Sequence, residues 1–367
     1  MSVASKPDGP ASAATFRKPL VSICVTTYNR AAWLEHTLPL VLGQTRPYPD
    51  LVEVVVCDNA STDHTPAVVD RLRGSPNLRA HRNEYNVGML GNLAVSAAQA
   101  RGRFVWVIGD DDLLVEGAVE RVLSAIALHP DVELLYLNYA YTRFDRPQDL
   151  TSVDEVIQGA VRTSTAARDE YTPRIRTIST KSDNCFTAIY CLVFREDRAR
   201  AAYGQDTSGP PFSTLATCVP TTQYVVEQMF DRPGYWMADP CVVVNMNVSW
   251  MRYAAPFILE RFPEVFDRME ARGADRAEVD ALRSRHVPQL LHWVSEVYLG
   301  QQGEHRGSFS MERLVRRFGH LEAFRRQWPA MRAVYARARG TGSVEGGALA
   351  PEQLDALVAS AGRGGRR

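Results

Sequence analysis

Residues 20–58 read LVSICVTTYNRAAWLEHTLPLVLGQTRPYPDLVEVVVCD, and this stretch sets the architecture of the chain. Leu20 to Thr27 and Leu51 to Cys57 are nearly unbroken runs of Val, Ile, Leu and Cys, which predict strands buried on both faces. Between them, Trp33 to Leu42 carries the spacing of a helix. The same alternation runs outward. A helix from about Thr65 to Arg73 leads to a short strand at Leu78 to Arg82, a helix over Leu90 to Ala100, and the strand RFVWVI at 103–108. A helix at about 115–128 and the strand ELLYLNYA at 133–140 follow. This pattern predicts an α/β fold on a mainly parallel sheet with helices on both faces, and such sheets bind ligands beyond the carboxyl ends of their strands.

Beyond Ala140 the pattern loosens. Residues 143–182 are polar and read as an insert over the site. FTAIYCLVF at 186–194 predicts a strand, the cluster from Gly204 to Ser213 a loop, residues 221–230 a helix, and CVVVNM at 241–246 a last strand. After about Ala255 the composition turns helical and Arg-rich. The expected organisation is a disordered tail at 1–18, an α/β domain at 19–254, a helical region at 255–340, and a mobile tail or short terminal helix at 341–367.

The chain has 367 residues, of which 45% are hydrophobic and 23% charged, and these values exclude a disordered or fibrous protein. Lys plus Arg and Asp plus Glu both number 42, so the basic excess of a nucleic-acid binder is missing and no nucleic-acid partner is expected. No apolar run reaches the roughly 18 residues a membrane span needs, and the first residues lack a signal-peptide core. A soluble, cytoplasmic protein is the expectation. The six cysteines form no C-x-x-C pair and lie in apolar stretches, as buried thiols do.

The candidate chemistry gathers at predicted strand ends. Gly109-Asp110-Asp111-Asp112 follows the strand at 103–108 directly. Three adjacent carboxylates repel one another, so they need a cation or free access to water. Hard oxygen ligands suit Mg²⁺ or Mn²⁺, ions that bridge nucleotide phosphates, whereas an acidic turn without metal is the alternative. Asp58 ends the strand at 51–57, where a carboxylate faces the ligand crevice and can accept hydrogen bonds from a base or ribose. Helix capping is its alternative, and that role suits Asp63, ahead of Thr65 and Pro66, better. Tyr28-Asn29-Arg30 and Asn83 through Asn86-Val87-Gly88 put amide-bearing and flexible residues on the same sheet edge. Singly each is an ordinary turn; together they point to one site.

Taken in order, VSICVTTYNR, VVVCDNASTD, NVGMLGN and FVWVIGDDDLL resemble the motifs of the family 2 glycosyltransferases, which have the GT-A fold, over about residues 19–140. The resemblance implies an inverting, hexosyltransferase-type enzyme with Mn²⁺ or Mg²⁺ as cofactor. Its donor would be a nucleoside diphosphate sugar, a UDP-sugar by preference, and its acceptor a hydroxyl. The nucleotide would bind in the 19–140 half and the acceptor in the 141–254 half. Carried over by position, Thr27, Tyr28 and Arg30 border the nucleotide, Asp58 receives the base, and Asn86 and Gly88 shape that side of the cleft. Asp110 and Asp112 end the D-x-D motif around Asp111, with Asp112 on the metal and Asp110 nearer the ribose. The arginine bias and the missing membrane segment fit tailoring of a bacterial secondary metabolite or a surface glycan precursor.

The sequence departs from the family at the catalytic base. An acidic pair is expected at a helix start in the second half of the domain, but residues 221–223 read Thr-Thr-Gln. Asp183 and Glu227 are the candidate bases, with a turn residue and a solvated helix residue as their respective alternatives. The missing pair keeps open a nucleotide-sugar-binding protein that has lost transfer activity. A nucleotidyltransferase is the other enzyme class, although VTTYNR lacks its Gly-rich basic loop. The aromatics Tyr235, Trp236, Trp250 and Tyr253 read as core or as an acceptor wall, and His286 and His292 as core or surface residues.

Farther on, Leu314, Phe318, Leu321, Phe324, Trp328, Met331 and Tyr335 fall on one helical stripe, opposite Arg313, Arg316, Arg317, Arg325, Arg326 and Arg332. Pro329 is expected to interrupt the helix. The expected use of the stripe is packing on the α/β domain or on a second copy in a homo-oligomer; peripheral contact with an anionic membrane is the alternative.

Overall fold

The apolar runs at 21–27, 52–58 and 104–109 lie side by side as parallel strands. The structure is a computed structural model that describes residues 18–147, 153–162, 164, 166–246, 250–344 and 347–364; the tail expected at 1–18 falls outside these residues except for Lys18. The first half runs β1 (Val21–Thr27), α1 (Ala31–Thr45), β2 (Val52–Asp58), α2 (Thr65–Leu72), β3 (Leu78–Arg82), α3 (Gly88–Gln99), β4 (Phe104–Gly109) and β5 (Leu113–Leu114). Next come α4 (Ala118–Leu128), β6 (Leu134–Thr142), α5 (Val153–Gly159), β7 (Val161–Arg162), β8 (Glu170–Thr172), β9 (Leu192–Arg195) and α6 (Glu196–Tyr203). A short helix, α7 (Pro220–Tyr224), leads into β10 (Gly234–Asn245). The remainder is helical: α8 (Ala254–Pro256), α9 (Phe262–Ala271), α10 (Arg276–Tyr298), α11 (Met311–Phe318), α12 (Glu322–Gly340) and α13 (Pro351–Gly364).

The strands form one mixed sheet in the order β3-β2-β1-β4-β9-β6-β10-β5, with β7 beside β6 and β8 beside β10. Strands β1 to β4 are parallel, as are β6 and β10, while β9 lies antiparallel between β4 and β6. Alternate side chains enter opposite cores. Cys24, Val55, Val105, Leu134 and Trp236 face one core, and Ile23, Val54, Trp106, Leu135 and Met237 the other. Burial on both faces is why these strands read as continuous apolar runs rather than alternating ones.

Two expected strands differ. Of residues 186–194, only those from Leu192 onward pair as a strand; Cys185 and Phe186 have φ of 47° and 68°, and Ile189–Cys191 is a 3₁₀ turn. Left-handed backbone at two bulky residues cannot continue a strand. Conversely, β10 begins seven residues before the expected Cys241, because Asp239-Pro240 reads as a turn yet sits where the register with β6 shifts between Met237 and Val242. Proline is tolerated at such an irregularity, where no ladder bond is needed from its nitrogen.

The C-terminal stripe is buried within the chain itself: its seven apolar residues are at most 7% exposed and join the core on one sheet face. Pro329 does not interrupt the helix as expected; it lies inside α12, and the break falls at Gly319–Leu321, where the Gly319 N–H closes α11 onto the Val315 carbonyl at 2.7 Å. The burial of Trp328 and Met331 on either side offsets the one helical bond that proline cannot make. Of the arginines opposite the stripe, Arg313 and Arg317 pair with buried Glu260, Arg316 with Glu312, Arg326 with Glu322 and Arg332 with Asp355, while Arg325 donates to the His320 carbonyl at 2.5 Å. All six cysteines are buried free thiols. Among the described residues no helix is long and apolar enough to cross a membrane.

Candidate functional site

A cleft of about 670 Å³ opens beyond the carboxyl ends of β1 and β4. One wall carries Thr27 at the end of β1, Tyr28 and Arg30 after it, Asn59 after β2, Asn86 and Gly88 at the start of α3, and Asp110, Asp111 and Asp112 after β4. Parallel pairing sets this convergence, since the register aligns Thr27 with Asp58 and Thr26 with Gly109, so three strands end at one level.

Hydrogen bonds fix the acidic triad. The Thr27 hydroxyl donates to Asp110 Oδ2 at 2.7 Å, the Thr37 hydroxyl to the Asp110 carbonyl at 2.7 Å, and the Gly109 N–H to Asp112 Oδ2 at 2.7 Å. Arg30 reaches across with Nε 3.2 Å from Asp110 Oδ1 and with Nη2 on Asp111 Oδ2. Burial pushes the Asp110 carboxyl up to about 7 against the lowering influence of Arg30. Burial likewise raises Asp111, and raises Asp112 well above the usual carboxylate range with the charge of Asp111 adding to it. Three carboxylates that resist ionisation together form a site that a cation would stabilise.

The amide side of the cleft is organised by Asn59, a residue that the sequence reading passed over. Its Nδ2 donates to Asn86 Oδ1 at 2.8 Å and to the Gly88 carbonyl at 3.2 Å, and its Oδ1 accepts from Asn83 Nδ2 and the Val87 N–H. Gly88 has φ of +80°, which lets the chain turn into α3 while its N–H meets Asn86 Oδ1 at 2.8 Å. Asp58 is 4% exposed and is not part of the cleft lining. Its Oδ1 accepts from the Ser61 N–H at 2.9 Å, while Oδ2 is buried without a hydrogen-bond partner, 3.4 Å from Arg82 Nη1.

The opposite wall is largely apolar and aromatic, with Tyr190, Phe212, Val219, Trp250 and Phe257. Phe212 stacks on Tyr253 at 4.9 Å and on Trp250 at 6.1 Å, and Trp250 meets Phe257 edge-on at 5.3 Å. Tyr235 and Trp236 are elsewhere: Trp236 is fully buried against Tyr136, and Tyr235 packs on His129. Thr221 lines the cleft with a buried hydroxyl that has no hydrogen-bond partner, while the Thr222 hydroxyl donates to the Phe186 carbonyl at 2.8 Å.

Neither expected base reaches this cleft. Asp183 is exposed and paired with Arg285 Nε at 2.8 Å, and Glu227 is paired with Arg268 at the turn following α7. Both partners come from the C-terminal helices, Arg268 from α9 and Arg285 from α10. His286 is buried, with Nε2 on the Ile258 carbonyl and Nδ1 accepting from Gln289, and His292 packs on Trp293. Among the described residues no three His, Cys, Asp or Glu side chains converge as a preformed metal cage. A nucleotide-bound Mg²⁺ or Mn²⁺ needs only one or two protein carboxylates, so the triad's buried oxygens fit that demand.

Residues 22–188 match the family model described as "Glycosyl transferase family 2". Abequosyltransferase RfbV of Salmonella typhimurium is 25% identical over 237 residues, 61% of this chain and 66% of that protein. The UDP-Glc:alpha-D-GlcNAc-diphosphoundecaprenol beta-1,3-glucosyltransferase WfgD of Escherichia coli is 30% identical over 139 residues, 36% of this chain and 53% of that protein. This chain therefore spans about two thirds of the first relative and half of the second. The crystal structure of Staphylococcus aureus TarS 1–349 in complex with UDP-GlcNAc superposes with a TM-score of 0.51 at 17% identity, covering 94% of this chain and 92% of that one, a likeness of fold. With its mixed sheet and strand-end motifs, the segment from Ser22 to Ala188 belongs to glycosyl transferase family 2.

Proposed function

We propose that the protein transfers a sugar from a nucleoside diphosphate sugar to a hydroxyl acceptor. The observation that carries this reading is the triad of buried Asp110 and Asp112 and half-buried Asp111 at the strand edge, on the same cleft wall as the amides of Asn59 and Asn86. Asp112 and Asp110 would hold Mn²⁺ or Mg²⁺, which when bound supplies Lewis-acid neutralisation of the departing diphosphate. Thr27 and Thr37 hold Asp110 in place, and Asn59 fixes the turn at Asn86 to Gly88 that borders the nucleotide. The Oδ2 of Asp58, ion-paired with Arg82 but without a hydrogen bond, is suited to a base N–H, and the exposed Tyr28 ring at the lip to the face of that base. The UDP-GlcNAc complex of TarS supports a uridine nucleotide, and the name of WfgD supports a glycan precursor as acceptor. The aromatic wall of Phe212, Trp250 and Phe257 suits a sugar ring on the acceptor. Six free cysteines suit the reducing cytoplasm.

A second reading, donor binding without efficient transfer, is favoured by one observation: among the described residues, the cleft lining carries no carboxylate outside the triad. Thermal-shift measurement across nucleoside diphosphates, with and without Mn²⁺, tests the main reading by mass action. UDP is expected to stabilise the protein most and only with metal. Equal shifts for all bases, or none, would reject it, and transfer to a glycan acceptor separates the two readings.

A further inference from the structure

Arg30 stands where a helix least favours it. It immediately precedes α1, the position at which Ser, Thr, Asp or Asn caps a helix and at which the helix dipole repels a cation. Its side chain makes no cap, and the Ala31 N–H is served instead by Asp63 Oδ2 at 3.1 Å. The guanidinium lies over the Trp33 ring at 4.7 Å and is directed at the triad, with Nε on Asp110 and Nη2 on Asp111. Among the described residues lining the cleft, Arg30 is the only cationic side chain, facing three carboxylates.

We infer that Arg30 is the counter-ion of the triad when no metal is bound and couples the binding of metal to that of the nucleoside diphosphate. The inference rests on the proposal that this cleft takes a metal and a nucleotide. A guanidinium and a divalent cation cannot share the carboxylate of Asp110 without mutual repulsion, so metal alone must compete with Arg30 there. A diphosphate changes that competition. It offers the guanidinium, on a side chain one-third exposed, anionic oxygens that match its planar fork, and so releases the carboxylates to the metal. Arg30 thereby suppresses binding of metal without nucleotide and favours binding of the two together.

The test is Mn²⁺ affinity by the electron paramagnetic resonance signal of the free ion, with and without UDP, on the full chain at pH 8. The wild type is compared with Arg30→Met, Arg30→Gln and Arg30→Lys, each checked for a cooperative melt. Removing the charge by Met or Gln is expected to tighten Mn²⁺ binding without UDP about tenfold and to shrink the enhancement by UDP about tenfold. Lys, which keeps the charge, is expected to retain the wild-type direction of both effects. Two neutral variants keep the test open if one fails to fold. Unchanged or weaker binding of Mn²⁺ alone, or undiminished enhancement by UDP, in a folded neutral variant overturns the inference and leaves the proposed function standing. A wild type that binds no Mn²⁺ even with UDP overturns both.

Discussion

Thr27, the last residue of β1, donates its hydroxyl to Asp110 Oδ2 at 2.7 Å across a sequence separation of 83 residues, tying the end of one strand to the turn after its neighbour. The near-isosteric Thr27→Val would leave a buried carboxylate oxygen without this donor, which costs about 1–3 kcal/mol. Chemical denaturation should report that loss, with Thr27→Ser close to wild type. Equal stability of the Val and wild-type proteins would show that the bond is not made.

Asp112 is held by the Gly109 N–H, and an Asn side chain can accept the same bond through its oxygen. Asp112→Asn should therefore melt like the wild type while its affinity for UDP in Mn²⁺ falls to the metal-free value in calorimetry. Retained metal-dependent affinity would remove Asp112 from the metal site.

Loss of a catalytic carboxylate typically costs about 10² to 10⁴ in rate. Because Asp183 and Glu227 are engaged by Arg285 and Arg268 outside the cleft lining, Asp183→Asn and Glu227→Gln should each turn over within a few-fold of wild type. A drop of a hundredfold in kcat for either variant would return that residue to the chemistry.

His286 is buried, and burial lowers its pKa from 6.5 to about 4. Between these values the unfolded chain takes up a proton that the folded one refuses, so stability falls as pH drops from about 6.5 and levels off near pH 4. By linkage the loss approaches about 3 kcal/mol. Denaturation curves at several pH values should show this slope, and His286→Gln should flatten it by about one proton. An unchanged slope in that variant would assign the acid sensitivity elsewhere.

Removing residues 311–367 would uncover one sheet-face core and deprive buried Glu260 of both Arg313 and Arg317. A buried charge stripped of its partners costs about 3–5 kcal/mol. The truncated protein should aggregate or fail to fold in light scattering. A soluble, cooperatively melting fragment would contradict the shared core.

Strands β1, β2 and β4 were legible because both their faces are buried, which leaves an apolar run that needs no partner to be recognised. The triad, Asn86 and Gly88 were legible for a related reason: parallel strands bring every such strand end to one edge. Asn59 was hidden inside DNASTD, which reads as a turn, although an Asn directly after a parallel strand was a usable signal. Residues 186–191 misled because apolar composition is silent about the left-handed backbone at Cys185 and Phe186. The positions of Asp183 and Glu227 could not be read locally at all. Each is decided by an arginine 102 or 41 residues later, on helices whose docking no motif announces.

The place of β9 in the sheet bears on the order in which the protein can be made. Strand β4 is complete at Gly109, yet its neighbour on the outer side is Leu192–Arg195, and β6 cannot join the sheet until that strand arrives. At synthesis rates of about 5–20 residues per second, the interval from Gly109 to Leu192 lasts on the order of ten seconds. For that time the nascent chain carries Phe104, Val105 and Trp106 on an open strand edge, the kind of surface that invites pairing with another chain. The late, short antiparallel strand is thus the clasp that covers this edge of β4.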